Sequence, residues 1–149
     1  MKIALAAILP RKPKPDAAAA LADDYLARAS HYLPCATHLH ESEATLFAWI
    51  DRLAARTAPH IVLLDRLGRL LSSDDLAAHI GRLRDSGAQT LVFAIGPSDG
   101  WSAAARSRAS LLLSFGPITL PHSLARVVLA EQLYRALTIL AGHPYHSAH

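Results

Sequence analysis

Residues 124–141 read LARVVLAEQLYRALTILA, helical in spacing yet apolar on nearly every face, and a helix of that kind must be buried in a core or an interface. Pro121-His122-Ser123 supplies its start, and Gly142 followed by Pro144 stops it. Whatever covers the helix also fixes its few polar groups. Arg126, Glu131, Tyr134, Arg135 and the rings of the tail Gly142-His143-Pro144-Tyr145-His146 are therefore held at set positions, an arrangement able to build a site.

The rest of the chain alternates short apolar runs with helical ones. Residues 3–9 read as a strand, RKPKPD as a loop, and the alanine-rich stretch to Ser30 as a helix. Residues 37–40 alternate, residues 43–56 have helical spacing (Leu46, Trp49, Ile50, Leu53), and 60–64 form a buried-type strand. Ser72 or Ser73 caps the next helix, with Asp74 and Asp75 in its first turn and Gly87 at its end. A strand at 90–95 breaks at Gly96-Pro97, a short helix follows at 102–109, and 111–114 is the last strand. Strands alternating with helices predict an α/β fold, a mostly parallel sheet with helices on both faces, whose ligands bind beyond the carboxyl ends of the strands. The loops after Leu64, Ile95 and Ser114 lie at such ends. With 149 residues and no linker or repeat, 1–149 is expected to be a single domain burying about 70% of its unfolded surface.

The lone Cys35 forms no internal disulfide and reads as a small apolar filler, which suits the cytoplasm. MKIALAAILP mimics a signal peptide, but Pro10 and Arg11 stand where small cleavage-site residues belong, so it reads as a strand. No run approaches the roughly 18 apolar residues of a membrane span, so the chain is expected to be soluble. The net charge of +3 is unevenly placed: residues 1–75 hold nine basic and nine acidic side chains, whereas 76–149 hold six basic and three acidic. That excess favours a polyanion near the tail.

Several segments are candidates for chemistry. Gly96-Pro97-Ser98-Asp99-Gly100 joins a strand to a helix and lets backbone approach a ligand, or is simply a turn. Phe115-Gly116-Pro117-Ile118-Thr119-Leu120 pairs a flexible Gly with a rigid Pro, suited either to wrapping an adenine ring or to an ordinary crossover. The tail histidines and Tyr145 read alone as a loose chain end or an adventitious metal binder. Arg135 sits four residues after Glu131, where an ion pair within the helix competes with a contact to a polyanion, and Arg126 is the stronger candidate for a phosphate or base. Arg11, Lys12 and Lys14 form a Pro-stiffened basic loop, solvated or touching RNA.

LPHSLARVVLAEQLYRALTILAGHPYH resembles the C-terminal signature of the RlmH family, knotted SPOUT methyltransferases that modify a pseudouridine in 23S ribosomal RNA. LLSFGPITL, FAIGPSDG and IVLLD resemble the family's other segments in the same order, so the resemblance covers the chain from Ile61 onward. It implies a C-terminal trefoil knot and a homodimer in which one protomer's tail completes the partner's active site. It also implies S-adenosylmethionine as cofactor, contacted by Leu64, Gly96, Phe115, Gly116, Pro117, Ile118, Thr119 and Leu120, and methyl transfer to N(3) of the pseudouridine, with the ribosome as substrate. His122, His143 and His146 are then the available bases, none singled out, and Tyr145 could stack on the target ring or hydrogen-bond it. Arg126, Arg135, Tyr145 and His146 are the expected RNA contacts; no metal, DNA or membrane is implied. The chain departs from the family at Pro97, which replaces a second Gly and removes a backbone donor. It departs again after His146, where Ser147-Ala148-His149 stand in place of a basic residue. Those departures leave two other readings: a catalytically weakened RNA- or ribosome-binding dimer, or a SPOUT methyltransferase for another RNA nucleotide.

Overall fold

The computed structural model describes residues 1–12 and 14–148. Its strands are β1 (Lys2–Ile8), β2 (Cys35–His40), β3 (His60–Leu70), β4 (Thr90–Ile95) and β5 (Leu111–Ser114). The helices are α1 (Ala17–Ala29), α2 (Glu43–Ala54), α3 (Ser73–Asp85), α4 (Ala103–Arg108) and α5 (His122–Ala141), with a 3₁₀ turn at His146–Ala148. The strands form one sheet in the order β2-β1-β4-β3-β5, and every pairing is parallel. The expected α/β architecture with a parallel sheet is therefore what these residues build.

The pleat explains both layers of core. Ile3, Leu5 and Ala7 of β1, with Leu91 and Phe93 of β4, face a cluster completed by residues of α1, α3 and α5. Ala4, Ala6 and Ile8 point the other way, toward Leu46 and Ile50 of α2 and Ala105 of α4. Because both faces are covered, the central strands are continuously apolar rather than alternating, as parallel strands usually are. The expectation for the C-terminal helix also holds: Leu129, Leu133 and Ala136 are fully buried, each leucine contributing about 1.5–3 kcal/mol. Gly142 ends α5 in the left-handed conformation at φ 70°, returning N–H groups to Ile139 and Thr138 carbonyls.

Side-chain caps set the entry of α1 to α4, whereas α5 starts after Pro121 without one. Ser42 with Thr45, and Ser72 with Asp75, form reciprocal capping boxes. Ser102 caps α4 while its backbone N–H and hydroxyl both donate to Glu43, at 2.7 Å each, which ties α4 to α2.

Most boundaries fall within two residues of the sequence reading, and β3 is the exception. β3 does not end at Leu64 but continues to Leu70 after an irregular stretch: Leu64 pairs with Leu113, and then Arg69 pairs with the same Leu113. The intervening residues bulge from the ladder at the carboxyl end of the sheet. Gly68 permits the return, since a Cβ there would stand 2.6 Å from the Leu112 backbone.

Candidate cofactor pocket and active site

The β3 bulge and the loops following β4 and β5 converge on a cavity of about 580 Å³ at the carboxyl end of the sheet, bounded by Leu64–Leu67, the segment from Ile95 to Trp101, and Thr119–His122. A neighbouring cavity of about 200 Å³ shares Leu64, Asp65, Thr119 and Leu120 with it and adds Phe115, Gly116 and Ile118. Together they fall in the ~300–1,000 Å³ range of small-molecule sites; the smaller is walled mainly by apolar side chains, whereas the larger also presents Asp65, Arg66, Ser98, Asp99 and Arg106. Of the cofactor positions named from the sequence, Leu64, Gly96, Phe115, Gly116, Ile118, Thr119 and Leu120 border one or both cavities. Pro117 borders neither of these two.

Two contacts hold the loops in register. Trp101, 6% exposed, donates its indole N–H to the Leu64 carbonyl at 2.9 Å. Its ring lies so close over Gly96 that a Cβ on that residue would be 2.6 Å from it, which is why glycine stands there. Asp65 accepts from the Leu67 backbone N–H and from Arg106 Nε, both at 2.8 Å, and so ties the bulge to α4. Neither Trp101 nor Asp65 was singled out by the sequence. The only available signal for Trp101 was a large aromatic just after a Gly-rich turn.

The β5 loop is shaped by Gly116, at φ +100° with open space where a Cβ would sit, and its N–H donates to Ser114 Oγ at 3.0 Å. In the β4 loop the Pro97 carbonyl accepts from Gly100 N–H at 2.9 Å, closing a turn with Gly100 at φ +89°. Pro97 itself lines the larger cavity.

At the first turn of α5, His122 reaches the larger cavity, and its Nε2 is buried without a partner among the described residues. Burial lowers its pKa below the usual 6.5; the Arg126 cation one turn on adds to this, and a hydrogen bond to the Ile8 backbone opposes it. Arg126 is buried at 7% exposure, its Nε also has no partner among the described residues, and it borders neither cavity.

The tail lies elsewhere in the same chain. Tyr145 donates its hydroxyl to Glu131 at 2.9 Å, Arg135 donates to the same Glu131 oxygen through Nε and Nη2 at 2.9 and 2.6 Å, and the Arg135 guanidinium covers the Tyr145 ring. Burial first, and then this Glu131 bond, raises the Tyr145 pKa, so the phenol stays protonated. His146 approaches Arg135 Nη1 at 3.3 Å and Asp74 at 3.5 Å, and His143 Nδ1 accepts from the Tyr145 backbone N–H at 3.1 Å. Nine helical residues, roughly 13 Å, separate Glu131 from His122. None of His143, Tyr145 and His146 borders the two cavities, and His149 lies outside the described residues. Arg135 thus makes the intrahelical ion pair that its spacing allowed.

A parallel α/β sheet with a pocket at its carboxyl end, between the β3 bulge and the β4 and β5 loops, places the chain among the α/β proteins that bind small molecules beyond the ends of their strands. The chain belongs to the SPOUT methyltransferase family: the model described as "Predicted SPOUT methyltransferase" matches residues 1–146. It is 49% identical over 138 residues to ribosomal RNA large subunit methyltransferase H of Koribacter versatilis, covering 93% of this chain and 94% of that protein. To the protein of the same name from Mesorhizobium japonicum it is 55% identical over 100 residues, covering 66% of this chain and 62% of the relative. Among solved structures it resembles the SpoU methyltransferase AviRb of Streptomyces viridochromogenes in complex with the cofactor AdoMet. The TM-score there is 0.53 at 17% identity, over 96% of this chain and 58% of that one, a likeness of fold.

Proposed function

We propose that the chain methylates N(3) of a pseudouridine in 23S ribosomal RNA, acting in the cytoplasm on the ribosome as a homodimer with a trefoil-knotted C-terminal region. The whole of 1–149 serves as one methyltransferase domain. The observation that carries this reading is the convergence of the β3 bulge and the β4 and β5 loops on one pocket that His122 also borders. The names of the relatives supply the RNA.

The pocket suits S-adenosylmethionine on three grounds. Phe115, Ile118 and Leu120 give an apolar wall for a purine, the open side of Gly116 gives backbone access, and the volume is sufficient. When bound, the cofactor supplies a methyl group on a positively charged sulfur. The chain's part is to position and to remove a proton. Held neutral, His122 accepts the N(3) proton of the target, worth about 10²–10⁴ in rate, and Arg126 lies one turn along the same helix to receive a phosphate or a base carbonyl. Because the tail packs against Glu131 of its own helix rather than at the pocket, we assign His143, Tyr145 and His146 to the active site of a second protomer. There Tyr145 stacks on or hydrogen-bonds the target ring, and Arg135 and His146 contact RNA.

The test is calorimetric titration with S-adenosylmethionine, followed by methyl incorporation into ribosomes lacking the modification. Binding with transfer supports the reading. Binding with transfer only to another RNA moves the substrate. Absence of binding sinks it in favour of an RNA-binding dimer, with Pro97 as the residue responsible.

A further inference from the structure

At the opposite end of the sheet lies a groove that the methyl-transfer reading does not use. One stretch, of about 470 Å³, is bordered by Cys35, His38 and Trp49. A second, of about 480 Å³, is bordered by Arg52, Arg56 and Gln89, and both share Lys2, Leu53 and Thr90, so the two stretches adjoin. Thr90 and Ile95 begin and end β4, which places this groove roughly 17 Å from the cofactor cavity.

Its chemistry is specific. His38 stacks on Trp49 with ring centroids 4.5 Å apart and planes 28° apart, and His40 approaches the same indole at 5.3 Å. Both histidines have lowered pKa values, chiefly through burial, with Lys2 acting on His38 and with His38 and Arg52 acting on His40, so the cations stand beside the rings. Lys2, Arg52 and Arg56 are exposed and form no ion pair among the described residues. No acidic side chain borders either stretch among the described residues. An acid-free groove combining unpaired cations with stacked rings has the composition of a single-stranded nucleic-acid path, in which backbone phosphates follow the cations and a base lies on the aromatic platform.

We propose that this amino-end groove is a second RNA-binding surface, where Lys2, Arg52 and Arg56 hold the backbone of a single-stranded rRNA segment and Trp49 with His38 receives one of its bases. The proposal rests on rRNA being the substrate. It makes the enzyme's grip on the ribosome extend beyond the nucleotide at the cofactor pocket.

The experiment compares wild type, Arg52→Gln/Arg56→Gln, Arg52→Lys/Arg56→Lys and Trp49→Leu. Calorimetry with S-adenosylmethionine and thermal melting first establish that each variant is folded with an intact cofactor site. Affinity for unmodified ribosomes, the methylation KM for ribosomes and the salt dependence of binding to a 12-nucleotide oligouridine are then measured. The expected result for the Gln pair is at least a tenfold rise in ribosome KM with kcat unchanged. Its salt slope should fall by about 1.4, roughly 0.7 for each single-strand phosphate that the variant no longer neutralises, and the Lys pair should restore both. Trp49→Leu should weaken oligouridine binding with the salt slope unaltered. Wild-type behaviour of the Gln pair on ribosomes that the wild type does methylate overturns the groove and leaves the methyl-transfer reading standing. A wild type that neither binds nor methylates ribosomes overturns both. Poly-glutamate binding as tightly as oligouridine also overturns the proposal, because an acidic polypeptide offers no base to the rings.

Discussion

Trp101 donates its indole N–H to the Leu64 carbonyl across 2.9 Å while its ring covers Gly96, so a single side chain sets the spacing of two of the three loops around the cofactor cavity. Replacing Trp101 by Phe keeps most of the packing but leaves a Leu64 carbonyl without its partner. The expected cost is about 1–3 kcal/mol of stability, with a several-fold loss of S-adenosylmethionine affinity. Melting and calorimetry on the variant check this, and an unchanged affinity would mean that the indole only fills space. Gly96→Ala should weaken the cofactor similarly, because its Cβ must displace the ring.

Asp65 and Asp51 offer a controlled comparison of ion pairs. The Asp65 side chain is 4% exposed and bonded to Arg106, whereas Asp51 is 62% exposed and bonded to Arg108. Asp65→Asn should destabilise the protein by about 1–2 kcal/mol, moderated because Arg106 can turn to water. Asp51→Asn should cost less than about 1 kcal/mol. Equal denaturant midpoints for the two variants would contradict this account of the β3 bulge.

Much of this arrangement was legible beforehand for a physical reason. A parallel sheet buried on both faces writes itself as short apolar runs between helices, and a helix apolar all round has to enter the core, as Leu129 and Leu133 do. Ser72 and Gly142 marked helix ends because capping and left-handed backbone are local properties. The β3 bulge was not legible. Its return to the ladder depends on Gly68 meeting the Leu112 backbone, a contact between segments more than forty residues apart. The loop clamps were hidden for the same reason, since Trp101 and Asp65 take partners from other elements. Nor does a sequence show that Tyr145 bonds to Glu131 of its own helix and that the tail rings stand away from the pocket.

His60 and His79 face each other with their Nε2 atoms 3.0 Å apart, so one ring must donate and the other accept, and they cannot both be charged. Both pKa values lie below 6.5: burial leads in each case, with His79 acting on His60, and Arg82 and Arg69 acting on His79. The unfolded chain therefore binds more protons than the folded one as pH drops below about 6.5. Their contribution to stability is present above that value and is lost as pH falls through the folded pKa values. Denaturant midpoints should decrease from pH 7.5 to pH 5. His79→Gln should make the decrease shallower without abolishing it, because His38, His40 and His122 are depressed in the same direction.

Removal of residues 142–149 should leave S-adenosylmethionine binding within about twofold of wild type, since none of His143, Tyr145 and His146 borders the two cavities. Methylation of ribosomes should be abolished. Substantial activity in the truncated protein would remove His143, Tyr145 and His146 from the active site of either protomer.

The proton-accepting role of His122 carries a signature that a structural histidine would lack. A base must be neutral to act, and the His122 pKa is held below 6.5, so kcat/KM should be flat near pH 7 and fall at acid pH. Arg126 is one of the causes of that depression. Arg126→Gln should move the acid limb to higher pH, though not past 6.5, because burial is the larger cause and remains. The same substitution should raise the KM for ribosomes if Arg126 also receives RNA, but weaker RNA binding alone would leave the limb where it was. His122→Asn should lower kcat by about 10²–10⁴ and flatten the limb. A wild-type acid limb surviving in that variant would assign the proton to another group and turn attention to the tail histidines of the second protomer.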